Sequence, residues 1–156
     1  MNRLLLMCCL VLLVPAAKAV PDLSGIEARA PGPRSAPRGL DTFFPEERHV
    51  LLVVDAGTMR SQAFLHALAR DGHPGLDTTV LLIGSGAQTA PLSVLPVAWE
   101  GVQVLQADAR QARSLLRQDA TVAVYGITSD RRIAWRRSGA PRATSTLVLQ
   151  ILEWLN

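Results

Sequence analysis

The chain has 156 residues, with 16 basic and 13 acidic side chains and a formal charge of +3. Cys8 and Cys9, the only cysteines, and Lys18, the only lysine, all lie within the first nineteen residues. From Val20 onward 14 arginines nearly balance 13 acids, and the absence of thiols there excludes a disulfide scaffold, a thiol nucleophile, a thiolate metal site and a redox dithiol.

Residues 1–19 read as a secretory signal. Arg3 supplies the positive start, Leu4–Val14 the apolar run, Pro15 the break and Ala17-Lys18-Ala19 the small-x-small cleavage site. Eleven apolar residues are short for a membrane span, which needs about twenty. Leu6 and Met7 are too bulky for a lipidation site ahead of Cys8. A cleaved signal implies a periplasmic or secreted protein with no stable span left in the mature chain, since no apolar run of eighteen residues follows.

Residues 20–41 read as a flexible linker. Pro21, Pro31, Pro33 and Pro37 interrupt it, Gly25, Gly32 and Gly39 loosen it, and Arg29, Arg34 and Arg38 spread charge along it. The domain is expected over 42–156.

Val50–Val54 is a continuous apolar run, the pattern of a strand covered on both faces. Asp55-Ala56-Gly57-Thr58 turns the chain into a helix, with Thr58 as N-cap. Ser61, Phe64, Leu65 and Leu68 form its buried stripe, Gln62, His66 and Arg70 its opposite face, and Gly72 its stop. Thr78–Ile83 predicts a second buried strand, ended by Gly84-Ser85-Gly86. Residues 87–101 carry Pro91 and Pro96 and could hold a short helix or a lid. Val102–Gln106 predicts a third strand. Asp108 caps a helix to about Gln118, with Ala112, Leu115 and Leu116 inward and Arg110, Arg113 and Arg117 toward water.

Thr121–Tyr125 and Arg132–Arg136 flank a polar turn at Thr128–Arg131 and predict an antiparallel hairpin. After Gly139-Ala140-Pro141, Thr144 or Ser145 caps a last helix through Leu155, with Leu147, Val148, Ile151, Leu152 and Leu155 inward. The order β-α-β-(α)-β-α-β-β-α predicts an α/β fold: a mixed, mostly parallel sheet between helices, closed by a terminal ββα unit.

From residue 46 onward the chain resembles the thioredoxin-like superfamily. The stretch Ala120–Gly139, a strand, a polar turn and a strand ending in an aromatic-basic pattern, is similar to that family's last hairpin. The resemblance implies a thioredoxin-like sandwich whose redox pair would sit at the first core strand–helix junction. Thr58-Met59-Arg60-Ser61 stands there, so thiol–disulfide exchange is not expected. Ala120 stands where the family places a cis-proline. The chain resembles redox-inactive envelope members, some of which serve conjugative assembly. This implies a protein-binding module with an envelope protein as partner, no cofactor and no catalytic residue.

Candidate binding residues at that junction are Asp55, Thr58, Met59 and Ser61, each also readable as a plain turn or helix-start residue. An enzyme using hydroxyl and carboxylate groups at the same edge, where ligands of open α/β sheets gather, is the alternative, as is a small-ligand carrier lidded by residues 87–99. The Asp-x-Gly-Thr turn also matches a phosphate-loop opening, but that turn joins two strands and the fold needs two large domains. Arg131, Arg132, Trp135, Arg136 and Arg137 form a second patch, suited to an anionic partner or to shielding an exposed edge. Alternation puts Arg132 and Arg136 on one face, and Arg131 and Arg137 on the other with Ile133 and Trp135. His49, His66 and His73 are too scattered for a metal site, and near-neutral charge with few aromatics argues against nucleic acid.

Overall fold

A computed structural model describes residues 21–32, 34–72, 77–84, 102–140 and 143–156. The elements, in chain order, are β1 (Glu27–Arg29), β2 (Arg38–Gly39), a 3-10 turn (Leu40–Phe43), β3 (His49–Asp55), α1 (Met59–Asp71), β4 (Thr78–Gly84), β5 (Gln103–Asp108), α2 (Ala109–Leu116), β6 (Val122–Ile127), β7 (Ile133–Ser138) and α3 (Thr144–Leu155). The predicted hairpin and closing helix are present. Residues 85–101, including the expected lid or short helix, and His73 lie outside the described residues.

One sheet runs β2-β1-β5-β4-β3-β6-β7. Its centre, β5-β4-β3, is parallel; β6 and β7 on one side and β1 and β2 on the other are antiparallel. Strand alternation sorts the apolar residues into two cores. Val50, Leu52, Val54, Val80, Leu82, Val122 and Val124 meet Phe64, Leu65 and Leu68 of α1 and Leu147 and Ile151 of α3. Leu51, Val53, Leu81, Ile83, Leu105 and Tyr125 face the other way, onto Ala112 and Leu116 of α2. Both faces of β3 and β4 are thus covered, as continuous apolar runs require.

The segment expected as a linker is part of this fold. Leu23, Ile26, Ala28 and Leu40 are buried in the second core, and β1 pairs with β5 through Ala28↔Ala107 and Arg29↔Gln106. The physical reason is coverage. An eight-residue α2 cannot roof a seven-stranded sheet alone, and a few well-spaced apolar residues in the N-terminal segment close the remainder. Low apolar content hid this, because composition averages over positions that packing treats one by one.

The last helix also departs from expectation. Its N-cap is Ala143, which supplies no side-chain bond. Thr144 is the first helical residue and donates its hydroxyl to the Asp71 carboxylate at the end of α1. That bond, with further help from Arg70 and the Ser145 backbone, holds the Asp71 carboxyl below its ordinary value. A carboxylate from a neighbouring helix therefore serves the positive N-terminus of α3. Leu147 and Ile151 are buried as expected, whereas Leu152 is exposed.

The hairpin is irregular. Gly126 pairs with Trp135 but Ile127 pairs with Ile133, so Ala134 is the extra residue of a bulge. Simple alternation would place Ile133 and Trp135 together, yet the bulge sends Ile133 to the second core and Trp135 to the first. The Trp135 indole lies over Gly126, where an added Cβ would collide with Nε1.

His49 opens β3 as a buried polar residue. Its Nε2 lies 2.7 Å from Thr79 Oγ1, which in turn donates to Gln103 Oε1 at 2.7 Å. His49 therefore donates from Nε2, and among the described residues Nδ1 is buried without a partner. Burial pushes the imidazole down to about 4, with the Asp77 charge opposing.

Two outcomes follow from this packing. Gly126→Ala must displace the indole and should lose about 1–3 kcal/mol, read by urea unfolding together with a shift in tryptophan emission. His49 should make stability pH-dependent above the carboxylate range. At pH above 6.5 neither state holds the proton. Between 6.5 and about 4 the unfolded chain binds a proton that the folded chain refuses, so stability decreases as pH is lowered, by about 3 kcal/mol over that window. Unfolding curves at pH 7.5, 5.5 and 4.5 measure this slope, and His49→Gln should flatten it.

Candidate functional site

The parallel strands β3, β4 and β5 all point their C-terminal ends at one edge, where α1 and α2 begin. Three of the four predicted junction residues build that edge through backbone and side-chain bonds. Asp55 ends β3, and its Oδ1 accepts from the Gly57 N–H at 3.0 Å, closing a tight turn. Its own N–H donates to Thr121 O at 2.8 Å, and the Ala56 N–H donates to Ile83 O at 3.2 Å. The chain is thus pinned to both neighbouring strands at the point where it leaves the sheet.

Thr58 is the N-cap of α1, as predicted: its Oγ1 accepts from the Ser61 N–H at 3.3 Å. The two hydroxyl oxygens lie 2.7 Å apart. Ser61 is fully buried, and its hydroxyl donates to Thr121 O at 3.2 Å. Together the bonds form a chain from Thr58 through Ser61 to a carbonyl just before β6. Ala120 precedes that carbonyl, and its own oxygen accepts from Gln118 Nε2 at 2.9 Å. Among the described residues no histidine or carboxylate side chain accepts from either hydroxyl, so nothing is placed to take a proton from them.

Met59 stands apart from this network. It is 86% exposed at the first position of α1, the most exposed of the large apolar side chains described. Among the described residues the helix start offers no other exposed apolar side chain of that size.

Arg113, which helical spacing places toward water beside Arg110 and Arg117, instead bonds the Asp55 carboxylate through its guanidinium. Asp55 shares strand parity with Leu51 and Val53, so its side chain points to the face that α2 covers. The carboxylate is thereby committed on both oxygens, to Gly57 and to Arg113. Among the described residues Arg113 Nε is buried without a partner.

The second predicted patch does not form one cluster. Arg131, with φ 62°, and Arg132 sit in the β6–β7 turn, at the His49 end of the sheet. Arg132 pairs with Asp130 at 3.1 Å. Arg136 and Arg137 lie further along β7, toward the Thr58–Ser61 end, and Arg136 reaches Arg117 O at 3.5 Å. Trp135, between the two pairs, stacks edge-on against Trp154 at 6.2 Å. Among the described residues no group of histidines, cysteines and acids could hold a metal ion, and no helix is long and apolar enough to cross a membrane.

No protein-family model matches the chain, and no curated protein matches it by sequence. Solved structures do match it in shape. A candidate thiol:disulfide interchange protein, DsbE, from Chlorobium tepidum superposes with a TM-score of 0.61 at 14% identity, over 88% of this chain and 98% of that one. A secreted Mycobacterium tuberculosis disulfide oxidoreductase, homologous to E. coli DsbE, gives 0.60 at 13% identity, over 85% and 97%. A thiol:disulfide interchange protein from a Bacteroides species gives 0.59 at 8% identity, over 88% and 91%.

The Asp55–Arg113 pair should behave as a coupled unit. A double-mutant cycle with Asp55→Asn and Arg113→Gln is expected to give about 1 kcal/mol of coupling in urea unfolding, shrinking at high salt because Arg113 remains part-exposed.

Proposed function

Because the chain has a thioredoxin-like fold with hydroxyls at its first central strand–helix junction, we propose that it is a non-catalytic, exported protein-binding module that uses this junction as a docking edge. The observation that carries the reading is the closed Thr58–Ser61–Thr121 bond chain beside the exposed Met59. A thiol at a helix N-terminus becomes a nucleophile because the positive helix end stabilises its thiolate. A hydroxyl's pKa is far too high for that, and here both hydroxyls are held in structural bonds. The scaffold that would present a reactive group presents an apolar side chain instead.

Export rests on the signal-like residues 1–19, and one of the similar structures belongs to a protein described as secreted. The setting that suits a binding module of this kind is an envelope or conjugative secretion assembly, with an envelope protein as partner. No cofactor enters the reading. Asp55, Thr58 and Ser61 shape the edge and Met59 makes the contact.

A photo-reactive phenylalanine analogue placed at position 59, in the full chain expressed in its own host, should give a discrete crosslinked adduct. The same analogue at His66, exposed on α1 away from its buried stripe, should not. The exported protein should also fail to reduce insulin disulfides with a thiol donor. Identical labelling at both positions, or thiol-dependent turnover, would sink the proposal.

A further inference from the structure

β7 is the last strand of the sheet, and among the described residues nothing pairs with its outer side. The orientation of its backbone is fixed by two bonds. Gly139 N–H donates to Val122 O at 2.8 Å, so residues 137 and 139 bond inward to β6. Asp55 N–H donates to Thr121 O, so Ala123 and Tyr125 of β6 bond to β3 on its far side. By antiparallel alternation, Arg136 and Ser138 must then aim their N–H and C=O groups out of the sheet.

Beside this open edge lies a groove of about 290 Å³ lined by Trp135, Gln150, Glu153 and Trp154. Among the described residues Gln150 Oε1 is buried there without a partner, and Leu149 and Leu152 of α3 are exposed. Trp135 and Arg137 face the groove side of the sheet; Arg136 faces the α2 side. Glu153 is the one acid lining the groove, whereas from Arg131 to Leu152 the chain carries five arginines and no acid, and neither Arg136 nor Arg137 is in an ion pair among the described residues.

We propose that the β7 edge is a strand-accepting site for an extended acidic segment of another protein. The incoming strand would bond to the outward groups of Arg136 and Ser138. Its apolar side chains would alternate onto the Trp135–Trp154 groove, and its carboxylates, on the opposite face, would meet Arg136. The charge pattern selects this occupant over a second copy of the chain, because pairing β7 with itself about a two-fold axis would set arginines against arginines. The site is separate from the Met59 edge, so either can fail alone.

The test uses a labelled octapeptide alternating glutamate and valine, blocked at both ends, with the purified protein. Anisotropy should show saturable one-to-one binding that weakens as salt rises. N-methylation of alternate peptide bonds, which removes strand donors and keeps every charge, should weaken binding roughly tenfold or more. Ser138→Pro, which removes one outward N–H and leaves the β6 ladder intact, should do the same. If that variant does not fold, the N-methylated peptide still decides. Equal binding of the N-methylated peptide would overturn the proposal in favour of charge alone. So would capture by phosphatidylglycerol vesicles without peptide binding, or a dimer that closes the edge and excludes the peptide.

Discussion

Everything in this fold is referred to β3. Its residues Val50–Val54 are fully buried, with side chains alternating between two cores and backbone bonded to β4 and β6. Such a strand has no freedom of register, because a slip of one residue would exchange its two apolar faces and misalign both ladders. The position at which it ends is therefore fixed as well. At Asp55 the chain must leave the sheet, rise over one face and begin α1. The Asp55 turn, the Thr58 cap and the Ser61–Thr121 bond are the means by which a polar backbone makes that exit without losing hydrogen bonds. The geometry that makes the junction precise exists before any chemistry is placed on it.

That constraint separates scaffold from activity. A helix start that is buried at Ser61, capped at Thr58 and tied to the next strand would hold any pair of side chains at these two positions close together. With thiols such a pair can exchange a disulfide; with hydroxyls it closes a hydrogen-bond chain and adds stability to the turn. A hydroxyl in place of a thiol changes the acidity of the group by many orders of magnitude while leaving it at the same place on the scaffold. A likeness of fold to disulfide oxidoreductases is therefore compatible with loss of their reaction, and the residues at the junction carry the functional argument.

How much of this could be read from the sequence follows a physical division. Local signals survived: the buried runs of β3 and β4, the stripe Ser61–Phe64–Leu65–Leu68, the caps at Thr58 and Asp108 and the terminal hairpin all depend on near neighbours. What failed depended on contacts distant in sequence. Arg113 looks solvated on its own helix, and only the strand order brings α2 over Asp55, 58 residues earlier. Residues 21–40 look like a tether until the uncovered end of the second core gives Leu23, Ile26 and Leu40 somewhere to pack. The bulge at Ala134 is invisible to alternation because an inserted residue reverses the very pattern used to detect the strand.

The two margins of the sheet are finished differently, and the difference bears on what the molecule can hold. At one margin β1 and β2 have three and two residues, and the 3-10 turn continues directly from β2 toward the buried Leu40 and Phe44. A strand that short, folded back into a core, offers little template. At the other margin β7 has six residues, two of them aiming backbone groups outward, beside an aromatic groove. Charge on an edge strand ordinarily guards it against self-pairing. Arginines of a single sign guard only against partners of the same sign. The property that keeps two copies of β7 apart is thus the one that would admit an acidic strand, and the bulge at Ala134 limits the regular part of the edge to the stretch beside Trp135, Arg136 and Arg137.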